Sequence, residues 1–178
     1  MHYLCMRMDR LHHLIVWLSR ITHCLGFGIQ SPTDYQFVRT VINEHSPYYA
    51  YETMGRKDCW LKRKLGRLYF RVANWRQPER VLDRVGTAEY LKAGCHRLRF
   101  VEIGQPFEMG VVPLEEVSSL LTFCHDQTVL IVEGIADDKD GWQNLVHGLQ
   151  GVIVFDLYYC GILVFDSKRT KQYYKINF

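Results

Sequence analysis

Val152-Ile153-Val154-Phe155-Asp156-Leu157-Tyr158-Tyr159-Cys160-Gly161-Ile162-Leu163-Val164-Phe165 reads as two apolar runs joined by a tight segment. Runs so rich in β-branched and aromatic residues predict strands, here Val152 to Leu157 and Gly161 to Phe165. The segment Tyr158-Tyr159-Cys160-Gly161 is too short for a parallel crossover, so the pair must be an antiparallel hairpin. Upstream, similar runs predict strands over Arg80 to Val85, Leu98 to Ile103 and Thr128 to Gly134. Two helices are expected between them. Pro113 to Cys124 opens on Pro113 with Glu115 and Glu116 in its first turn, and Asp138 to Leu149, capped by Asp137, carries Trp142, Leu145, Val146 and Leu149. Gly104 to Val112 reads as a loop. Strands alternating with helices define an α/β sheet with crossovers and an antiparallel C-terminal hairpin.

The first 77 residues are helical in pattern. Met8, Leu11, Leu14, Ile15, Leu18, Ile21 and Leu25 recur at helical spacing, and Gly26 and Gly28 end the run. Ser31-Pro32-Thr33-Asp34 has the chemistry of a helix start: a hydroxyl cap, proline at the first position and an acid near the positive end. A short helix through Asn43 follows, then a tyrosine-rich packed loop, His45 to Tyr51. A third helix is expected from about Arg56 to Trp75. Leu61, Leu65, Leu68, Val72 and Trp75 form its stripe, and Arg56, Lys57, Lys62, Arg63, Lys64, Arg67 and Arg71 its other faces. The expectation is one domain over residues 1–178, a helical cap (1–77) on an α/β core (78–178).

The 178 residues are 48% hydrophobic and 13% aromatic, enough for one folded core. The net charge of +3 does not by itself demand a nucleic-acid or membrane partner. Six dispersed cysteines with no CxxC pair read as free thiols. Leu14 to Leu18 is too short an apolar run for a targeting signal, and no stretch reaches the roughly 18 apolar residues of a membrane helix, so a cytoplasmic, membrane-free protein is expected.

Phe27-Gly28-Ile29-Gln30-Ser31-Pro32, Pro47-Tyr48-Tyr49-Ala50-Tyr51, Phe155-Asp156-Leu157-Tyr158-Tyr159-Cys160-Gly161 and Lys171-Gln172-Tyr173-Tyr174, with the strand-turn-strand ending, resemble a bacterial O-methyltransferase-like branch of the class I S-adenosylmethionine-dependent methyltransferases. The resemblance spans both ends of the chain and is weakest in the middle. It implies a Rossmann-like sheet, shortened, because the span from Arg80 to Gly134 holds roughly two crossovers at about 30 residues each, fewer than the family core requires. It also implies a glycine-rich cofactor turn after the first core strand, where backbone amides face the ligand. The matching residues are Asp83, then Arg84-Val85-Gly86-Thr87-Ala88-Glu89, with one glycine where the family has two or three. Glu102 matches the acid that ends the second strand and accepts the ribose hydroxyls. Glu133, with Asp137, Asp138 and Asp140 nearby, matches the strand end where metal-dependent relatives hold a divalent cation. These acids also suit the start of the following helix, and no metal is expected.

The expected function is therefore that of a methyltransferase-like domain without ordinary S-adenosylmethionine binding, acting as a binding or interaction module with no cofactor. The alternative is an active S-adenosylmethionine-dependent O-methyltransferase using Asp83, Gly86 and Glu102, with Thr87 and Glu133 as further cofactor candidates. A second alternative is a nucleic-acid binder using the basic 56–76 face, although a solvated basic face explains the same pattern. Dimerisation through the first helix is compatible with all three. His12-His13 with His23-Cys24 lacks zinc-ligand spacing, and Cys124-His125-Asp126 reads as a helix end and turn, because catalytic groups must converge in space.

Overall fold

A computed structural model describes residues 10–178, so Cys5 and Met8 lie outside the described residues. Two compact units emerge: a helical one, comprising residues up to Gln77 with Thr87–His96 and Ile176–Phe178, and a sheet unit, Pro78–Gly86 with Arg97–Lys175.

In the helical unit α1 spans Arg10–Ser19. The Ser19 hydroxyl donates back to the Val16 carbonyl (2.7 Å), offering the backbone an alternative to continuing the helix. The following turn Ile21–Gly26 is interrupted by non-helical His23, Cys24 and Leu25. The helix is thus shorter than the expected run to Leu25. Leu14, Ile15, Leu18, Ile21 and Leu25 are all about half exposed and Val16 is buried. Periodicity identifies an apolar face without specifying what covers it.

Helix α2, Pro32–Phe37, begins as the sequence predicts, with Ser31 Oγ accepting the Asp34 amide (3.4 Å). It runs on into a π-helical turn, Val38–Ile42. Helix α3, Trp60–Arg76, starts four residues later than expected, after a turn at Gly55, and buries Leu61, Leu65, Leu68 and Val72. Trp75 departs from the expected stripe and is about half exposed. Arg71, expected on a polar face, is buried. Its guanidinium donates to the carbonyls of Val41 (2.6 Å) and Ile42 (2.9 Å) and to Tyr51 Oη (3.2 Å). It thereby satisfies carbonyls that the end of a helix leaves open.

Helix α4, Ala88–Gly94, belongs to this unit. Gly66 and Gly55 leave room for the Tyr90 ring, and Gly94 meets the Phe70 carbonyl; a Cβ at any of the three would collide. Tyr90 donates to Asp58 Oδ2 (2.7 Å), and Lys62 pairs with Asp58 Oδ1 (3.1 Å). Burial opposes the Asp58 charge, but these bonds and the charges of Lys62 and Arg63 outweigh it, so the Asp58 pKa lies below its ordinary value. A depressed folded-state pKa contributes stability that is present above the unfolded value, about 3.9, and lost as pH falls through the folded one. Asp58→Asn is therefore expected to be less stable than the parent chain at pH 7, with the gap closing in denaturant titrations below about pH 4. A gap that persists at acid pH would exclude this carboxylate as its source.

The sheet unit has seven strands: β1 Arg80–Asp83, β2 Arg99–Phe100, β3 Met109–Pro113, β4 Val129–Glu133, β5 Val152–Asp156, β6 Cys160–Phe165 and β7 Gln172–Lys175. Their order is β2-β1-β3-β4-β6-β5-β7. β6 is antiparallel to β4 and β5, as the tight turn requires, while the other pairings are parallel. The protein is thus an α/β protein with a Rossmann-like sheet.

Two strands have no counterpart in the sequence reading, and a third is shortened. Met109–Pro113, read as part of a loop, is a central strand; its Gly110 leaves space that Leu130 fills, and Pro113, with no N–H, stands at its end. β7, with lysines at both sides, is an edge strand, a polar pattern that blunts pairing with other chains. The expected Leu98 to Ile103 strand shrinks to two residues, and no helix separates β2 from β3. The predicted Pro113 to Cys124 helix is a 3-10 turn, Leu114–Glu116, then α5, Val117–Leu120, then a second 3-10 turn, Leu121–Phe123. Helix α6 is Lys139–Gly148. Val117, Leu120, Trp142 and Val146 from these helices pack with Leu82, Val112, Leu130, Val132, Val154 and Leu163 of the strands into one core.

Candidate functional site at the strand ends

The chain enters the sheet at β1, adds β2 on one side and then β3 on the other. Strand order therefore reverses between β1 and β3, the position where open α/β sheets bind ligands beyond their carboxyl ends. Asp83 ends β1. The pairing of Val81 with Phe100, extended by two residues, sets Glu102, just beyond β2, level with Asp83, and Gly86 follows in the turn. These three candidates lie at one corner. Asp83 pairs with Val111, and Val111 with Ile131, so Glu133 stands two strands away, about 10 Å, and two residues further along. Thr87 lies across the unit boundary, at the start of α4.

Local bonding shows what each residue does. Asp83 Oδ1 accepts the amides of Val85 (3.2 Å) and Gly86 (2.9 Å), so the carboxylate holds its own turn and occupies the amides that a ligand would need. Gly86 has φ 75°, which its lack of a side chain permits. Arg84 reaches from the end of β1 to Glu116 beyond β3, Nε to Oε2 at 2.8 Å and a second nitrogen to Oε1 at 3.1 Å. This fork bridges the two sides of the switch point, and the Glu116 contact raises the Arg84 pKa further. Glu102 is exposed, its amide bonded to Gln105 Oε1 (3.2 Å). Glu89, at the end of the sequence that follows Asp83, accepts the Gly55 amide (3.0 Å) within the helical unit.

Glu133 is buried at the end of β4, beside Pro113 and Cys160. The acids after it start α6, but Asp138 rather than Asp137 is the cap, its Oδ1 accepting the Gly141 amide (2.8 Å). Among the described residues no group of three or more His, Cys, Asp or Glu side chains is arranged to hold a metal.

Two further features were not visible in the sequence. Asp156, buried at the end of β5, accepts the Tyr173 hydroxyl (2.5 Å) and the Tyr158 amide (3.0 Å). This contact joins the segment that ends β5 to strand β7. Burial and the neighbouring Asp156 push the Tyr173 phenol up to about 12, so it remains a donor at physiological pH. The second feature is a cavity of about 280 Å³ lined by Arg63, Lys64, Arg67 and Arg71 in the helical unit.

Cys124, His125 and Asp126 do line a common depression, but they do not form a nucleophilic site. Burial pushes the Cys124 thiol up to about 12, far from the thiolate that catalysis needs. His125 Nδ1 lies against Thr128 Oγ1 (3.1 Å), and Asp126 accepts the Ser167 amide and hydroxyl. The five described cysteines are free, and no described helix is long and apolar enough to cross a membrane.

No family model and no curated protein matches the chain. A solved structure, that of cofactor-bound Rv0187 from MTB, aligns over 78% of this chain and 98% of its own at 12% identity, with a TM-score of 0.44, a likeness too slight to carry an argument.

Proposed function

We propose that this chain is a methyltransferase-like α/β protein that has lost ordinary S-adenosylmethionine binding and acts as a binding module. The observation that carries this reading is the Asp83 carboxylate bonded to the Val85 and Gly86 amides. A ligand at the switch point would have to displace a charged acceptor from both donors, and hydrogen bonds to charged groups contribute roughly 1.5–3 kcal/mol each. The Arg84–Glu116 fork matters less for affinity, because solvent screens an exposed pair, but it adds a fixed bridge across the same crevice. Glu102, the acid proposed for ribose hydroxyls, stands in solvent, and the turn after Asp83 holds one glycine, Gly86, instead of a glycine-rich cradle.

Isothermal titration calorimetry with S-adenosylmethionine and S-adenosylhomocysteine is expected to show no binding at ligand concentrations up to about 1 mM, a level that detects even weak sites. Micromolar binding that disappears in Asp83→Ala or Glu102→Ala would replace this reading with that of an active O-methyltransferase.

A further inference from the structure

We infer that the cavity beside α3 is a binding site for the phosphate group of a small molecule, a site independent of how the strand ends are read. Arg63, Lys64, Arg67 and Arg71 line it together with Asn43 and Trp60. At helical spacing, residues 60, 63, 64, 67 and 71 fall on one side of α3, so the stripe that looks in sequence like a solvated basic face is gathered around one concavity.

All four cations are held in place by neighbours. Arg63 donates to the carbonyls of Gly55 (3.2 Å) and Asp58 (2.9 Å), and Arg71 is anchored by Val41, Ile42 and Tyr51. The Lys64 ammonium stands over the rings of Trp60 (5.2 Å) and Phe178 (4.5 Å). Arg67 lies with its guanidinium over the Tyr51 ring (4.7 Å). The acid lining the cavity, Glu44, has its carboxylate turned to the Ser46 amide (2.7 Å). Positive charge is therefore in excess around a wall whose cations are already positioned, and such pre-ordering lowers the entropy lost on binding.

The second observation concerns donors. Arg67 Nε and Asn43 Nδ2 are both buried and make no hydrogen bond to any described residue. Buried donors without acceptors are costly, and both of these belong to side chains that line the cavity, where an acceptor-rich anion would supply the missing partner. A phosphate monoester supplies several charged oxygens, matches the arginine fork and carries close to two negative charges at neutral pH. The volume of about 280 Å³ exceeds that of a phosphate group, which leaves room for the rest of a small molecule beside Trp60.

The test is titration of the full chain with inorganic phosphate, pyrophosphate and a single-stranded 12-mer oligonucleotide, followed by calorimetry and by thermal shift. Saturable binding of phosphate or pyrophosphate at a single site is expected. It should weaken about tenfold or more in Arg67→Gln and in Lys64→Gln, since each removes one charged contact. Arg67→Lys, which keeps the charge and loses the fork, should fall between, and circular dichroism identical to the parent chain would show that these variants fold. No binding of either inorganic anion, or binding that all three variants leave unchanged, would overturn the proposal. So would binding confined to the oligonucleotide with a salt dependence of several released ions, which would mark an extended nucleic-acid face instead.

Discussion

Arg71→Met is expected to destabilise the protein by about 3 kcal/mol, which for a chain of this size lowers the thermal midpoint by roughly 6–12 °C. Arg71 is only 7% exposed, and its three hydrogen bonds go to the carbonyls of Val41 and Ile42 and to the Tyr51 hydroxyl. Methionine fills much of the same volume, so the loss comes from polarity and not from a cavity. Two carbonyls at the end of the π-helical turn would then be buried without donors, at about 1–3 kcal/mol each before relaxation. Arg71→Lys should recover only part of the loss, because one ammonium cannot reproduce a planar fork aimed at separate acceptors. Differential scanning calorimetry of the three chains decides it. A methionine variant within about 1 kcal/mol of the parent would show that water reaches these carbonyls and that the arginine is not needed to close the helix.

That arginine also shows where sequence reading stops. In the sequence, Arg71 is one of seven basic residues around a helix, and nothing in its spacing separates it from Lys62 or Arg67. Its burial comes from a turn nearly thirty residues upstream that presents carbonyls to it, a contact no local pattern encodes. The same holds for Leu14, Ile15 and Leu18: the 3.6-residue rhythm correctly locates a helix and cannot say whether its apolar face is covered. What the sequence did make legible rests on short-range chemistry. Ser31 and Pro32 start a helix through their own atoms, and the short segment between two apolar runs forces an antiparallel pair. β3 was lost because Gly110 and Pro113 are punctuation to a local reading, whereas in the sheet the glycine makes room for Leu130. At the strand ends, Asp83, Gly86 and Glu102 come together at one corner of the sheet, but the Arg84–Glu116 fork depends on two connections that only the strand order brings side by side.

The second large effect is expected at Gly161, inside the segment that specifies the hairpin. Gly161 is buried in β6, where a Cβ would run into the ring of Trp142, one of the largest fully buried side chains. Glycine in a strand is otherwise unfavourable, so its presence here is explained by close approach of the α6 indole and not by the turn, whose left-handed residue is Tyr158 (φ 74°). Gly161→Ala should cost about 2–3 kcal/mol through overpacking, although alanine is the better strand residue by propensity. Trp142→Ala alone should cost about 3–5 kcal/mol through the cavity that it leaves. If the two residues are matched in shape, the double variant should be less destabilised than the two losses added together, with a coupling of about 1–3 kcal/mol, because removing the indole removes what the new methyl strikes. Urea denaturation of the four chains measures that coupling directly. Strict additivity would mean that the indole moves aside at little cost and that Gly161 serves the backbone of the hairpin instead. A coupling of the expected sign would identify the tight turn and the α6 core as one packing unit, fixed by the absence of a single side chain.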